Sequence, residues 1–375
     1  MLHILKRTDW KLYIAIALLI AAGLLSLLST QSELFYRQLV LVGVGAVLMG
    51  ILLFADLRSF FSSKNVIYGF YIFINLLLVL TLLIAPSIQG NRAWIVICTF
   101  QFQPAEFAKL AVILLLAYFF SRRHVRIARM QTLFISFIYA AIPAAIIMLQ
   151  PDLGSAVVII GIWLGFVLLS GIPAKKLLIT VLIFAAVFGL AWQFGLQDYQ
   201  KERIISVFDP AADPLGSGYN VIQSKIAIGS GGFFGKGFGQ GTQSQLGFLP
   251  EAQTDFIFSA IAEEGGLLAA WIVLVAEFFV IFRLIREGTV LEGNFAKFTA
   301  LGAAVLFFLQ SAVNIGSAVG YAPVIGMTLP FVSYGGSNLL LGYLTVGLLV
   351  SIHRQSLRSR RFQGGMPLDE RTPCV

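Results

Sequence analysis

Long apolar blocks alternate with short polar segments along almost the whole chain. They fall at residues 12–29, 39–55, 66–85, 104–120, 133–149, 153–170, 177–196, 256–282, 298–316 and 339–352. A helix rises about 1.5 Å per residue, so blocks of this length cross a hydrocarbon core of roughly 30 Å. The pattern predicts an all-α, polytopic membrane protein with about ten transmembrane helices. A β-barrel would need alternating segments of about ten residues, and none occur. Only "QPD" at 150–152 parts the fifth block from the sixth, which predicts a tight hairpin there.

Charge orients these helices. Of the 26 Lys and Arg, 19 fall in segments on one side and six on the other, while Lys109 lies within a span. Positive residues mark cytoplasmic loops, so both termini are placed in the cytoplasm. The chain then reads as one ten-span domain over 1–353, including a large extracytoplasmic loop at 197–255, and a cytoplasmic tail at 354–375. Composition agrees, with 58% hydrophobic residues and a mean hydropathy of +0.88. The net charge of +8 does not indicate nucleic acid, because the basic residues are spread with membrane spacing. Cys98 and Cys374 are too few and too far apart for a disulfide framework or a metal site. No cleavable signal peptide is expected, since the first block is long enough to span and lacks a small-residue cleavage site.

The chemically distinctive residues gather on the outer side. A loop as long as 197–255 is usually functional or disordered, and its apolar content argues against disorder. Within it "YNVIQSKIAIG" at 219–229 predicts a short helix. The glycines that follow fit either a flexible linker or a close backbone approach to an anionic ligand. Further back, Arg92 and Trp94 precede a helix opened by Pro104, a favoured first-turn residue. Glu106 and Lys109 share one face of that helix. A charge inside a span seeks a partner or a wet cavity, so a local ion pair and a substrate contact both fit. The last outer connection, 319–338, carries prolines and a Gly-Gly pair, an irregular backbone that must be covered by protein or water.

One stretch concentrates acid. "GFLPEAQTDFIFSAIAEEGG" at 247–266 holds Glu251, Asp255, Glu263 and Glu264, four of the 18 acids in the chain. Thr254 is the expected N-cap of the eighth span, with Asp255 in its first turn as capping acid or as reactive carboxylate. Glu263 and Glu264 lie about 12–14 Å deeper and are expected to pair with neighbouring helices.

Three segments carry a family resemblance: "NIGSAVGYAPVIGMTLPFVSYGGSNLL" at 314–340, "GFFGKGFGQGTQSQLGFLPEAQTDFIFSAIAEE" at 232–264, and "QPDLGSA" at 150–156. Together they resemble the SEDS family of bacterial shape, elongation, division and sporulation proteins, over nearly the whole chain. The short N-terminal tail and overall length are more similar to the elongation (RodA-like) branch than to the division (FtsW-like) branch. The resemblance implies a peptidoglycan glycosyltransferase of the bacterial cytoplasmic (inner) membrane. It would join lipid II units outside the membrane, inverting the anomeric centre and releasing undecaprenyl pyrophosphate. The family's loop aspartate falls on Asp255, and its Glu and Lys of the fourth span on Glu106 and Lys109. Ala93 and Ala105 depart from the Arg and Ser usual there, and Ser317 and Ala322 from larger apolar residues.

An inverting displacement needs one base, and Asp255 suffices. The departing pyrophosphate needs its charge neutralised. Arg92, Lys109, Arg203, Lys225 and Lys236 are the cations available, with Arg203 and Lys225 ranked ahead of Lys236. A divalent cation, Mg or Mn, is expected with ligands unassigned. The expected partners are lipid II, membrane lipids and a class B penicillin-binding transpeptidase, with no nucleic acid. A lipid II flippase and a noncatalytic scaffold for a transpeptidase remain as alternatives.

Overall fold

The computed structural model describes residues 10–55, 63–88, 90–97, 100–123, 130–194, 198–209, 216–291 and 293–364. Cys98, Cys374, parts of the large loop and the end of the tail lie outside the described residues. Helices α1 (Trp10–Thr30), α2 (Ser32–Phe54) and α3 (Lys64–Ile84) come first. A hairpin of β1 (Ile95–Ile97) and β2 (Phe100–Phe102) leads into α4 (Pro104–Arg122). Then follow α5 (Met130–Leu149), α6 (Leu153–Leu169) and α7 (Ala174–Phe194). The large loop contains α8 (Asp198–Phe208), α9 (Ser217–Ser230) and α10 (Thr242–Gln245). The chain closes with α11 (Ile257–Val290), α12 (Asn294–Val319) and α13 (Gly336–Gly364), the last running through residue 353 without interruption.

Each of the ten apolar blocks falls on a helix. Eight of these helices are long and apolar enough to cross a membrane. The sixth, α6, is shorter at 17 residues, and α7 holds the seventh position. The expected short helix at 219–229 is α9. Two elements were not foreseen. The antiparallel hairpin pairs Ile95 with Phe102, an "IVI" and "FQF" pattern of β-branched and aromatic residues that suits strands. Residues 198–208, read as loop, form α8.

At the centre stands α4, buried from Pro104 to Phe120 except for partial exposure at Phe107 and Tyr118. It is apolar on all faces, as a helix enclosed by others must be. It touches α3, α5, α6, α12 and α13. Its first turn is therefore deep in the bundle, and whatever polar groups it carries must find partners there.

A second feature fixes the large loop. At Gly266 the backbone of α11 leaves the helical region, with φ 70° and ψ −170°. The groups this break frees are bonded by the glycine run. Leu267 N donates to Gly232 O (2.9 Å) and Leu268 N to Phe233 O (3.2 Å). In return Lys236 N and Gly237 N donate to Glu263 O and Glu264 O, both at 3.0 Å. A Cβ at Gly235 would lie 2.0 Å from Glu264 O, so the close approach served by this glycine is to α11. The amides of Lys236 and Gly237 are thereby bonded to α11, so this stretch is not the flexible linker that the sequence also allowed, and these two amides are not free for an anion.

Gly235→Ala should accordingly lower the thermal stability of the purified protein by at least about 1–3 kcal/mol, the usual cost of overpacking. Gly229→Ala meets nothing within 4 Å of its Cβ and should leave the melting curve unchanged. Equal melting temperatures for both variants would contradict the spliced backbone.

Candidate functional site

Two polar clusters are organised by the connection from α12 to α13. The first surrounds residues 251–256, a turn ahead of α11. Tyr334 N donates to Gln253 O (2.9 Å), Ser333 Oγ to Thr254 O (2.7 Å) and Asn314 Nδ2 to Asp255 O (3.0 Å). Three consecutive carbonyls are thus held from α12 and the segment after it. Asp255 is half-buried in this turn. Burial pushes its carboxyl from the ordinary 3.8 up to about 7, helped by the Glu251 charge and opposed by Arg203 and the Thr254 hydroxyl. The expected helix cap is not formed. α11 starts at Ile257, its cap residue Phe256 makes no side-chain bond, and the Thr254 hydroxyl turns to Glu251 Oε2 (3.1 Å). Asp255 therefore stands in a turn before the helix, because its carbonyl is claimed by Asn314.

The second cluster lies at the start of α4. Lys109 Nζ is 2.6 Å from Glu106 Oε1, and Asn338 Nδ2 donates to Glu106 Oε2 at 2.9 Å. Lys109 is only 1% exposed, so its charge depends on this carboxylate. Beside them Asp152 caps α6 through Ser155 N (3.0 Å) and accepts from Gln103 Nε2 (2.9 Å). Burial holds the Asp152 carboxyl above its ordinary range, against the Ser155 amide and the Lys109 charge. Gln103 N in turn donates to Ser337 Oγ (2.9 Å). Sequence reasoning found Glu106 and Lys109 but not Gln103, Asp152, Asn314 or Asn338. Asp152 had a usable signal, an Asp immediately before an apolar helix. The amides had none, since their partners are distant in the chain.

The remaining predicted residues lie before β1 and on the large loop. Arg92 is exposed, with its backbone N–H on Gln150 O (3.2 Å), and Trp94 is half-buried just ahead of β1. Arg203 is exposed on α8, near enough for its charge to act on Asp255. Lys225 is exposed on α9 and its stem lies over Gly320, where a Cβ would meet Lys225 Cε at 2.3 Å. Lys236 is reassigned. Its Nζ sits 2.7 Å from Oε1 of the fully buried Glu263, which also accepts from Gln243 N (2.8 Å), Ser244 N (3.0 Å) and Ser244 Oγ (2.9 Å). A buried carboxylate holds its counter-charge tightly, so Lys236 clamps the loop to α11. Glu264 meets α1 and α10, accepting from Ser29 Oγ and from Gln245 Nε2 (2.9 Å). Both carboxylates pair with neighbouring helices, Glu264 with α1 and α10, and Glu263 with α10 together with Lys236 of the loop.

A family model described as a cell cycle protein of the FtsW, RodA and SpoVE type matches residues 9–358. The chain belongs to this family. Peptidoglycan glycosyltransferase MrdB of Escherichia coli K12 is 40% identical over 265 residues, 71% of each chain. Stage V sporulation protein E of Bacillus subtilis 168 is 35% identical over 328 residues, 85% of this chain and 87% of that protein. Among solved structures, a chain of a peptidoglycan synthase complex that coordinates polymerization and crosslinking matches with a TM-score of 0.80 and 34% identity. It covers 93% of this chain and 98% of that one. The rod shape determining protein RodA of Thermus thermophilus matches with a TM-score of 0.70 and 30% identity over the same shares. This family member is thus a multi-pass bacterial membrane protein. Among its described residues no three His, Cys, Asp or Glu side chains are grouped to hold a metal ion.

The buried pair of this family member gives a direct test. Glu106→Gln leaves Lys109 without its counter-charge, and breaking one partner of a buried pair costs about 3–5 kcal/mol. The double variant Glu106→Gln with Lys109→Met should melt closer to the parent than either single variant, as a thermal-shift series in detergent would read. Additive losses would show that the two residues do not support each other.

Proposed function

We propose that this protein polymerises lipid II into glycan strands on the extracytoplasmic face of the cytoplasmic membrane, in the elongation role. Its family membership and the glycosyltransferases among its relatives support that reading. The observation that carries it is Asp255: a carboxyl poised near neutrality in a turn whose backbone is clamped at three carbonyls. Such a group takes a proton at physiological pH and holds a fixed position while doing so.

In this reading the 4-hydroxyl of a GlcNAc attacks the anomeric carbon of a lipid-linked MurNAc. Asp255 accepts the hydroxyl proton as the new C–O bond forms, and the bond to the pyrophosphate oxygen breaks with inversion. Arg203, Lys225 and Arg92 supply positive charge to the departing pyrophosphate, with the Glu106–Lys109 pair and Trp94 contributing to substrate binding. Mg or Mn would reach the site on the pyrophosphate itself, since such hard cations bind through one or two carboxylates plus substrate oxygens. A class B penicillin-binding transpeptidase is the proposed partner, supported by the likeness to a chain of a complex that couples polymerization to crosslinking.

Asp255→Asn removes the base and should lower lipid II polymerisation by about 10²–10⁴-fold. Its stability should move the other way. A carboxyl raised from 3.8 to about 7 stabilises the fold fully below pH 3.8, and that contribution is lost as pH rises through 7. The Asn variant should therefore gain melting temperature relative to the parent at pH 8 more than at pH 5. In the parent, the rate should rise with pH through about 7 as Asp255 ionises, and Glu251→Gln should shift that rise to lower pH. A normally active Asp255→Asn protein would leave the reaction without its base and overturn the proposal.

A further inference from the structure

The large loop exposes an apolar edge that the reaction does not use. Phe233, Phe234 and Phe238 are 57%, 77% and 58% exposed, and the rings of Phe233 and Phe234 meet edge-on at 4.9 Å. A soluble loop with such an edge would be an aggregation hazard. Its depth relative to α11 gives it another meaning. The backbone bonds at Leu267 and Leu268 fix Gly232 and Phe233 a little more than one helical turn past Glu263.

The bilayer boundary on α11 can be placed from its charges. Between Glu264 and Arg283 lie 18 residues whose single ionisable side chain, Glu277, is 2% exposed and turned to Ser311 Oγ (3.1 Å). That stretch is about 27 Å long, close to one hydrocarbon thickness. Its outer limit therefore falls near residues 264–266, level with the glycine run. The neighbouring outward faces, Leu267, Leu268 and Trp271, are also exposed and apolar, so the Phe edge continues a lipid-facing surface. The one cation in the run, Lys236, is folded inward onto Glu263 and leaves this edge uncharged.

We propose that residues 232–238 are seated in the bilayer, with Phe233, Phe234 and Phe238 inserted at the acyl–headgroup boundary of the outer leaflet. Aromatic side chains are favoured at that boundary. The loop then serves as a membrane-seated collar about 12–14 Å below the Asp255 turn along α11. A lipid-linked substrate, whose tail never leaves the leaflet, would meet the collar at its own depth. The insertion itself does not depend on the proposed chemistry.

The test uses the full chain with Cys98 and Cys374 replaced by Ser, in phospholipid nanodiscs containing no other protein. Nitroxide labels are placed at Phe234→Cys and Phe238→Cys, with Glu251→Cys as the exposed reference, and each variant is first checked for a monodisperse, folded elution profile. Power saturation with oxygen, which concentrates in lipid, is compared with a water-soluble nickel chelate. Labels at 234 and 238 should show oxygen accessibility several-fold above their nickel accessibility, while 251 shows the reverse. Nickel accessibility at both positions equal to that at 251 would overturn the proposal. So would protection from both reagents, which would mean that protein covers the edge. Because two positions are read, failure of one variant to fold leaves the other decisive. Loss of polymerase activity in any variant has no bearing on the depth measured.

Discussion

A helix broken near the bilayer must have its freed backbone groups bonded by something other than water. The break at Gly266 in α11 sets that requirement, and the glycine run at 231–237 meets it strand-fashion, main chain to main chain. Side chains alone could not, because the groups to be matched are consecutive amides and carbonyls. The buried carboxylate of Glu263 then gathers Lys236 and the first amides of α10, so one short segment of α11 fixes about ten residues of loop. Without this splice the large outer loop would have no defined position relative to the spans. With it, α10 and the turn at 251–256 are held against the top of the bundle.

The reactive turn is held from the opposite direction by a different element. Ser333, Tyr334, Ser337 and Asn338 fall within six residues, yet the first two bond the carbonyls before Asp255 and the last two bond Gln103 and Glu106. The irregular connection between α12 and α13 therefore fixes both polar clusters to each other. Its own backbone is tolerated at this depth because Ile325, Met327, Leu329, Phe331 and Val332 bury it within the protein.

The spans were legible because a bilayer imposes one length and one polarity on every crossing segment. The pair at Glu106 and Lys109 was legible for the same reason, as charges in an apolar helix stand out and a three-residue spacing places them together. Apart from the family resemblance, Asp255 was visible as an acid at a helix start, and its local reading as a cap failed because Asn314, 59 residues away, competes for its backbone. Lys236 misled for a related reason. Glycines around a lysine suggest mobility, whereas here they allow the approach that buries its partner. The strands at 95–102 were hidden by a short pattern that also fits the lead-in to a helix. What the sequence withheld was consistently the long-range pairing, which no periodicity encodes.

If Asp255 is the base, as proposed, the charges around it have to satisfy two opposed demands. A base that works near neutral pH needs its carboxyl raised, which a nearby cation prevents. A departing pyrophosphate needs cations close by. The arrangement separates these demands by element. The carboxyl is raised chiefly by burial and by Glu251, both belonging to its own turn, whereas Arg203 acts on it from α8 and only partly offsets them. Lys225 stands on α9, its stem resting on Gly320 at the end of α12. Both cations are exposed, so water screens their charge before substrate arrives. Once a lipid pyrophosphate displaces that water, the same charges interact with it in a lower dielectric, and its two negative phosphates in turn oppose any fall in the Asp255 pKa. On that reading the base is kept ready by its own turn, while the cations become strong only when there is a leaving group to receive them.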